Sequence, residues 1–141
     1  MSADGRAFVD TNVFVYAVDS TAGVKRDRAR KVVGDLWQSG SGCLSVQVLQ
    51  EFFVIVTRKI PHPLDGRTAA TAVEDFAQWR THAPNAGDVI AAIDLHLRDA
   101  ISFWDAMIVQ SAATLSCGVL YSEDLQAGQR YGGVLVVNPF D

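Results

Sequence analysis

Ala7-Phe8-Val9-Asp10-Thr11-Asn12 is the stretch on which the fold turns. Three apolar residues ending at an aspartate predict a short buried strand with an acid at its carboxyl end. Beyond it, Ala29, Val32, Val33, Leu36 and Trp37 recur at helical spacing within Val24 to Ser39, which predicts a helix with one buried stripe, and Gly40 and Gly42 end the run. Cys43-Leu44-Ser45-Val46 predicts a second strand. It leads into Val48, Leu49, Phe52, Phe53 and Val56, again at helical spacing, with Pro61 and Pro63 as the stop.

Asp65 is placed to cap a helix whose face includes Ala69, Val73, Phe76 and Arg80. Asp88 is placed to cap another, with Ile90, Ile93 and Leu97 on one side. Ser102-Phe103-Trp104-Asp105 reads as a capping box with Asp in place of Glu. The helix it opens is expected to bury Trp104, Ile108, Ser111, Ala112 and Leu115, and Gly118 closes it. Val119-Leu120-Tyr121 and Val134-Leu135-Val136-Val137 supply two more strands. Short apolar strands alternating with helices predict an α/β protein, a three-layer α/β/α arrangement on a short, mainly parallel sheet.

The chain has 141 residues, 49% hydrophobic and 20% charged, the profile of an ordinary globular domain. No linker or repeat interrupts it, so residues 1–141 are expected to form one domain. Apolar runs such as Val13–Val18 fall far short of the ~18 residues that a membrane span needs. Met-Ser-Ala-Asp-Gly-Arg has no apolar core of a secretory signal, which leads to the expectation of a cytoplasmic protein with no membrane partner. Cys43 and Cys117 sit among apolar neighbours and read as buried free thiols rather than a disulfide or a metal site.

Charge is uneven. Residues 1–70 carry nine Lys/Arg against seven Asp/Glu, and residues 71–141 carry three against nine. Five of the basic residues fall within Lys25-Arg26-Asp27-Arg28-Ala29-Arg30-Lys31, at the start of a helix, where positive charge opposes the helix dipole. Lys25, Arg26, Arg28 and Lys31 are thus candidates for a phosphate track, against the reading of a solvated helix face.

The placement of four acids points to chemistry. Asp10 and Asp124 each follow a strand at the edge where open parallel sheets bind ligands. Asp105 lies in the first turn of its helix, and Glu51 lies early in the helix after the second strand. Two carboxylates ~5 Å apart repel by roughly 3 kcal/mol at an effective dielectric of 20, and four repel several times as much. Hard divalent cations with oxygen ligands, Mg2+ or Mn2+, relieve that repulsion. His62, His82 and His96 lie in different segments without zinc-ligand spacing. No Ser/His or Cys/His dyad shows a convincing spacing either.

Phe8-Val-Asp10-Thr-Asn12, Leu-Gln-Glu51-Phe, Ser102-Phe-Trp-Asp105-Ala and Leu120-Tyr-Ser-Glu-Asp124-Leu, in that order, resemble the PIN-domain family. More narrowly they resemble its VapC-type toxins. The resemblance runs from residue 8 to the Asn138-Pro-Phe ending. It implies a metal-dependent single-strand endoribonuclease, the toxin of a toxin–antitoxin pair, leaving 5′-phosphate and 3′-hydroxyl ends. It carries the catalytic, metal-holding quartet onto Asp10, Glu51, Asp105 and Asp124, and site-orienting polar roles onto Asn12 and Ser122. It also implies an RNA substrate, a cognate antitoxin and a homodimer. Phe76, Trp79 and the Ile90/Ile93/Leu97 face offer apolar surface for the last.

Two other classes compete. A phosphoryl-transfer α/β protein of the phosphatase kind needs D-x-D at the first strand, where Asn12 stands instead. One of the receiver kind needs a late Lys, and no Lys follows Lys59. A non-catalytic RNA-binding or interaction module on the same fold has no reason to keep four mutually repelling acids.

Overall fold

A computed structural model describes residues 5–141. Residues 1–4, on which part of the leader argument rests, lie outside the described residues. The chain runs β1 (Ala7–Val9), α1 (Thr11–Val18), α2 (Val24–Ser39), β2 (Gly42–Ser45), α3 (Val46–Arg58), α4 (Gly66–Phe76), β3 (Arg80–His82), α5 (Ala86–Asp99), α6 (Phe103–Thr114), β4 (Val119–Tyr121), β5 (Arg130–Tyr131) and β6 (Val134–Val137). The strands form one sheet in the order β3-β2-β1-β4-β6-β5. All neighbours are parallel except β5, which is antiparallel to β6.

That order sets the layers. From β1 the chain steps outward to β2 and then β3, and right-handed crossovers put α1–α4 on one face. It then returns to β4 on the other side of β1, which puts α5 and α6 on the opposite face. The packing agrees: α1 meets α2 and α3, α3 meets α4, and α5 meets α6. The reversal of strand order lies between β1 and β4, so the crevice for a ligand opens beyond their carboxyl ends. Asp10 and Ser122 are the first residues past those two strands.

Burial explains why such short strands hold. Phe8, Val9, Leu44 and Leu120 are fully buried, packed with Val13, Phe14, Phe52 and Val56 from α1 and α3. Between α1, α2, α4 and the edge of the sheet, Phe14 lies 4.5 Å from Phe76 and 5.4 Å from Trp79, and Trp37 lies 5.8 Å from Trp79. The Trp79 ring covers Gly42 so closely that a Cβ there would lie 2.5 Å from it. Cys43 and Cys117 are buried, as expected of their apolar neighbours.

Six expectations need correction. The stripe expected to be buried on α2 keeps only Ala29 in the core, and Trp37 is exposed. Ser102 caps α6 by accepting from the Asp105 amide, without the reciprocal bond of a capping box. The fourth helix stops at Phe76, and Arg80 begins the edge strand β3 instead of extending that helix. Asn85, not Asp88, caps α5; Asp88 sits at the third helical position and completes a capping box with it. Trp104, expected in the core, is 62% exposed. Phe76 and Trp79 are engaged in the aromatic cluster and are not spare interface surface, whereas Ile90, Ile93 and Leu97 are exposed.

Candidate metal centre

Asp10 directly follows β1 with extended backbone and caps α1, so its side chain is aimed by both elements. Its Oδ1 accepts from the Thr11 amide at 2.7 Å, and its Oδ2 accepts from Ser122 Oγ at 2.8 Å. Asn12 Nδ2 lies 3.5 Å from the same Oδ2. Burial pushes the Asp10 carboxyl up to about 7, against the pull of Ser122 and the Thr11 amide and with help from the charges of Asp124 and Asp105. A positive partner beside a carboxyl raised in this way would favour its charged form.

The other members arrive from separate elements. Ser102 caps α6 through the Asp105 amide at 3.0 Å, and this places Asp105 in the first turn. Burial raises the Asp105 carboxyl, opposed by Ser102 and reinforced by the charges of Asp124 and Glu51. Ser122 Oγ accepts from the Asp124 amide at 3.1 Å and turns the loop after β4 inward. Carboxylate oxygens of Asp10, Asp105 and Asp124 all lie within 4.8 Å of one another. Glu51 is not one of this trio but lines the same cleft, where Thr11 Oγ1 donates to it at 2.8 Å and Gln47 Nε2 at 3.4 Å.

Glu123, next to Asp124, turns away. It accepts from the Tyr16 hydroxyl at 2.6 Å and pairs with Lys25. Its backbone amide donates to Asn12 Oδ1 at 3.3 Å, so Asn12 ties the two strand ends together from the other side. The cleft is about 380 Å³, and Thr11, Tyr16, Gln47, Ile55 and Trp104 share its walls with the acids. Thr11 and Gln47, which hold Glu51, were not legible as site residues; a hydroxyl and an amide carry no spacing signal of their own.

The basic run disperses. Lys25 lies beside the cleft, held by Glu123 and placed 4.9 Å from the Tyr16 ring centre. Arg28 donates to the Asp141 carbonyl, and Lys31 pairs with Asp35. Arg26 is half-buried.

Away from the cleft, the fold assembles a dyad that spacing had hidden. His82 Nδ1 lies 2.8 Å from Ser111 Oγ, and its Nε2 lies 3.2 Å from Asp88 Oδ2. Gln110 Nε2 donates to the other Asp88 oxygen at 3.2 Å. Ser111 is only 1% exposed, so no substrate reaches it. The line pins β3 and α5 to α6.

The donor set fits a hard divalent cation. It is all oxygen and all carboxylate, and among the described residues no ion pair reaches Asp10, Asp105 or Asp124.

A family model described as PIN domain matches residues 7–131. Among solved structures, the chain is similar to Mycobacterium tuberculosis VapC20, described as a sarcin-ricin loop cleaving toxin. The two are 21% identical with a TM-score of 0.64, over 84% of this chain and 89% of that one. It is also similar to VapBC2 from Rickettsia felis bound to a promoter DNA fragment, 15% identical with a TM-score of 0.64, over 92% and 96% of the two chains. A third is DNA-bound VapBC from Salmonella typhimurium, 17% identical with a TM-score of 0.66, over 93% and 96%. At these identities the likeness is one of fold. No curated protein matches the sequence significantly.

Proposed function

The chain belongs to the PIN-domain family, and from that premise we propose that it is a metal-dependent endoribonuclease acting as the toxin of a toxin–antitoxin pair. The observation that carries this reading is the meeting of Asp10, Asp105 and Asp124 within 4.8 Å without an ion-paired partner among the described residues. Family membership and the likeness to a toxin described as cleaving the sarcin-ricin loop support RNA as the substrate class.

Asp10, Asp105 and Asp124 would hold Mg2+ or Mn2+, with Glu51 as the fourth acid of the quartet. Such an ion lowers the pKa of bound water and neutralises charge on a scissile phosphate. The protein's own part is to fix the acids. Ser122 and the Thr11 amide orient Asp10, Asn12 locks the two strand ends, and Thr11 with Gln47 holds Glu51. Ile55, Ile60, Pro61 and Ile108 wall the cleft on its apolar side and limit water there.

The remaining roles follow the same reading. Lys25, Arg26, Arg28 and Lys31 on α2 would track the phosphate backbone. A cognate antitoxin would cover the cleft, and the exposed Ile90, Ile93 and Leu97 of α5 would serve a homodimer. We place the activity in one domain spanning residues 1–141 and in the cytoplasm; no described helix is long and apolar enough to cross a membrane.

The test is direct. Purified protein is incubated with a fluorescently labelled single-stranded RNA, with Mg2+, with Mn2+ and with a chelator. Cleavage should need the metal and disappear in Asp105→Asn. Cleavage that persists in chelator, or none with either metal, would overturn the reading.

A further inference from the structure

Trp104 is the most exposed tryptophan or phenylalanine among the described residues, 62% accessible, yet its backbone is held in place. It occupies the second position of α6, immediately before Asp105, whose carboxylate belongs to the acidic trio. Gln47 Nε2 donates to the Trp104 carbonyl at 3.3 Å and to Glu51 as well, so the backbone beneath the indole is fastened to the wall that carries the fourth acid. Phe103 meets the ring at 71° with centroids 5.0 Å apart, an edge contact and not a stacked one. The side chain also lines the cleft that holds the acids.

An indole carries a large apolar face, and here that face is left open at the rim of the acidic cleft, where a flat ligand can cover it. The cleft itself shows what that occupant must supply. Asp10, Asp19, Glu51, Asp105 and Asp124 line it, and Lys59 is its one basic lining residue. Coulomb attraction therefore cannot hold an anionic polymer at this spot without help. Stacking on an aromatic face can, because it does not depend on the sign of the charge. The cleft also has an apolar side of Ile55, Ile60, Pro61 and Ile108, but the indole stands next to the acids that a phosphate backbone must pass: Asp105 follows it in the chain, and Gln47 links its backbone to Glu51.

We propose that Trp104 is a stacking platform for a nucleobase of single-stranded RNA adjoining the bond cleaved in the acidic cleft. This rests on the nuclease reading above and adds to it a substrate-positioning residue. Trp104 then fixes where the strand lies relative to Asp105, and any aromatic base face is acceptable to it.

The experiment uses a labelled single-stranded RNA that the wild type cleaves, and the same RNA with one abasic residue immediately 5′ or 3′ of the cut. Trp104→Leu should raise KM on the order of tenfold, with the effect on KM rather than kcat, and Trp104→Phe should recover most of it. The abasic RNA should lose a similar factor with the wild type on one side of the cut. With Trp104→Leu it should lose little more, because base and indole are two halves of one contact. An unchanged KM in Trp104→Leu, or losses that simply multiply, would overturn the stacking role while leaving the nuclease reading standing. So would a Trp104→Leu effect confined to self-association in sedimentation. A wild type that cleaves no RNA with Mg2+ or Mn2+ would bring down the nuclease reading and this inference together.

Discussion

Ser122 donates from Oγ to Asp10 Oδ2 at 2.8 Å, so a residue just past β4 orients an acid just past β1, 112 positions away in the chain. The same hydroxyl accepts from the Asp124 amide, which makes it a shared support of two of the three clustered acids. Partners of metal-holding carboxylates typically matter by 10–100-fold in metal affinity or activity. Ser122→Ala should therefore weaken both Mn2+ affinity, followed by calorimetric titration, and RNA cleavage by about that factor. If both stay at wild-type values, Ser122 has no part in the site.

Asp10 yields a pH prediction. Its folded-state value of about 7 lies above the ordinary 3.8, so the folded state keeps a proton that the unfolded chain gives up between those values. Metal-free stability from this group is therefore highest below the unfolded value. It declines as pH rises from about 4 to about 7, by up to a total on the order of 4 kcal/mol. Asn caps a helix as well as Asp does. Asp10→Asn should thus raise the melting temperature of chelator-treated protein at pH 8 and leave it nearly unchanged at pH 4.5, while abolishing cleavage. A melting temperature lowered at pH 8 would contradict this account.

Four strands were legible because each is an apolar run bounded by an acid, a glycine or a helical pattern. The edge strand β3 was not. Arg80-Thr81-His82 is exposed to half-buried along its length and shows no apolar run, and β5 has only two residues. Asn85 and Asp88 each look like a cap, and the capping box makes them mutual partners, so sequence order does not tell them apart. The burial of α6 extends from Ala106 through Val109 to Ser111 and Ala112, almost around the helix, so periodicity could not say that Trp104 faces outward. The acids were legible from their positions after strands and at a helix start. What separates Asp124 from its neighbour Glu123 was not, because it depends on Tyr16 and Lys25 drawing Glu123 away.

The buried Ser111–His82–Asp88 line should behave as a structural joint. Ser111→Ala removes the hydroxyl beside His82 Nδ1 and leaves that nitrogen without its partner, at about 1–3 kcal/mol of stability. Cleavage at a temperature well below melting should be unaffected. Thermal unfolding and a cleavage assay on the same preparation check both halves; lost activity in a fully folded variant would make the line part of the catalytic apparatus.

Gly42 is expected to tolerate no side chain. A Cβ there would lie 2.5 Å from the Trp79 ring, which is itself fixed among Phe14 and Trp37. Gly42→Ala should destabilise by about 1–3 kcal/mol, as overpacking does. Pairing it with Trp79→Phe, which shortens the obstructing ring, should return part of that loss in denaturant unfolding. Additive losses would mean that the ring is not the obstacle.

Lys25 tests the path of the strand. It stands beside the cleft, paired with Glu123, whereas Arg28 reaches the Asp141 carbonyl and Lys31 forms an exposed pair with Asp35. Exposed pairs of the last kind hold their partners weakly, and Arg28 keeps further donors, so both remain available to phosphates. Each phosphate contact to a single strand contributes about 0.7 to the slope of log affinity against log salt. In the cleavage-defective Asp10→Asn background, Lys25→Glu should reduce the slope by about 0.7. Adding Arg28→Glu and Lys31→Glu should bring the total reduction to about 2. A drop confined to Lys25 would end the track at the cleft mouth, and an unchanged slope would make α2 an ordinary solvated face.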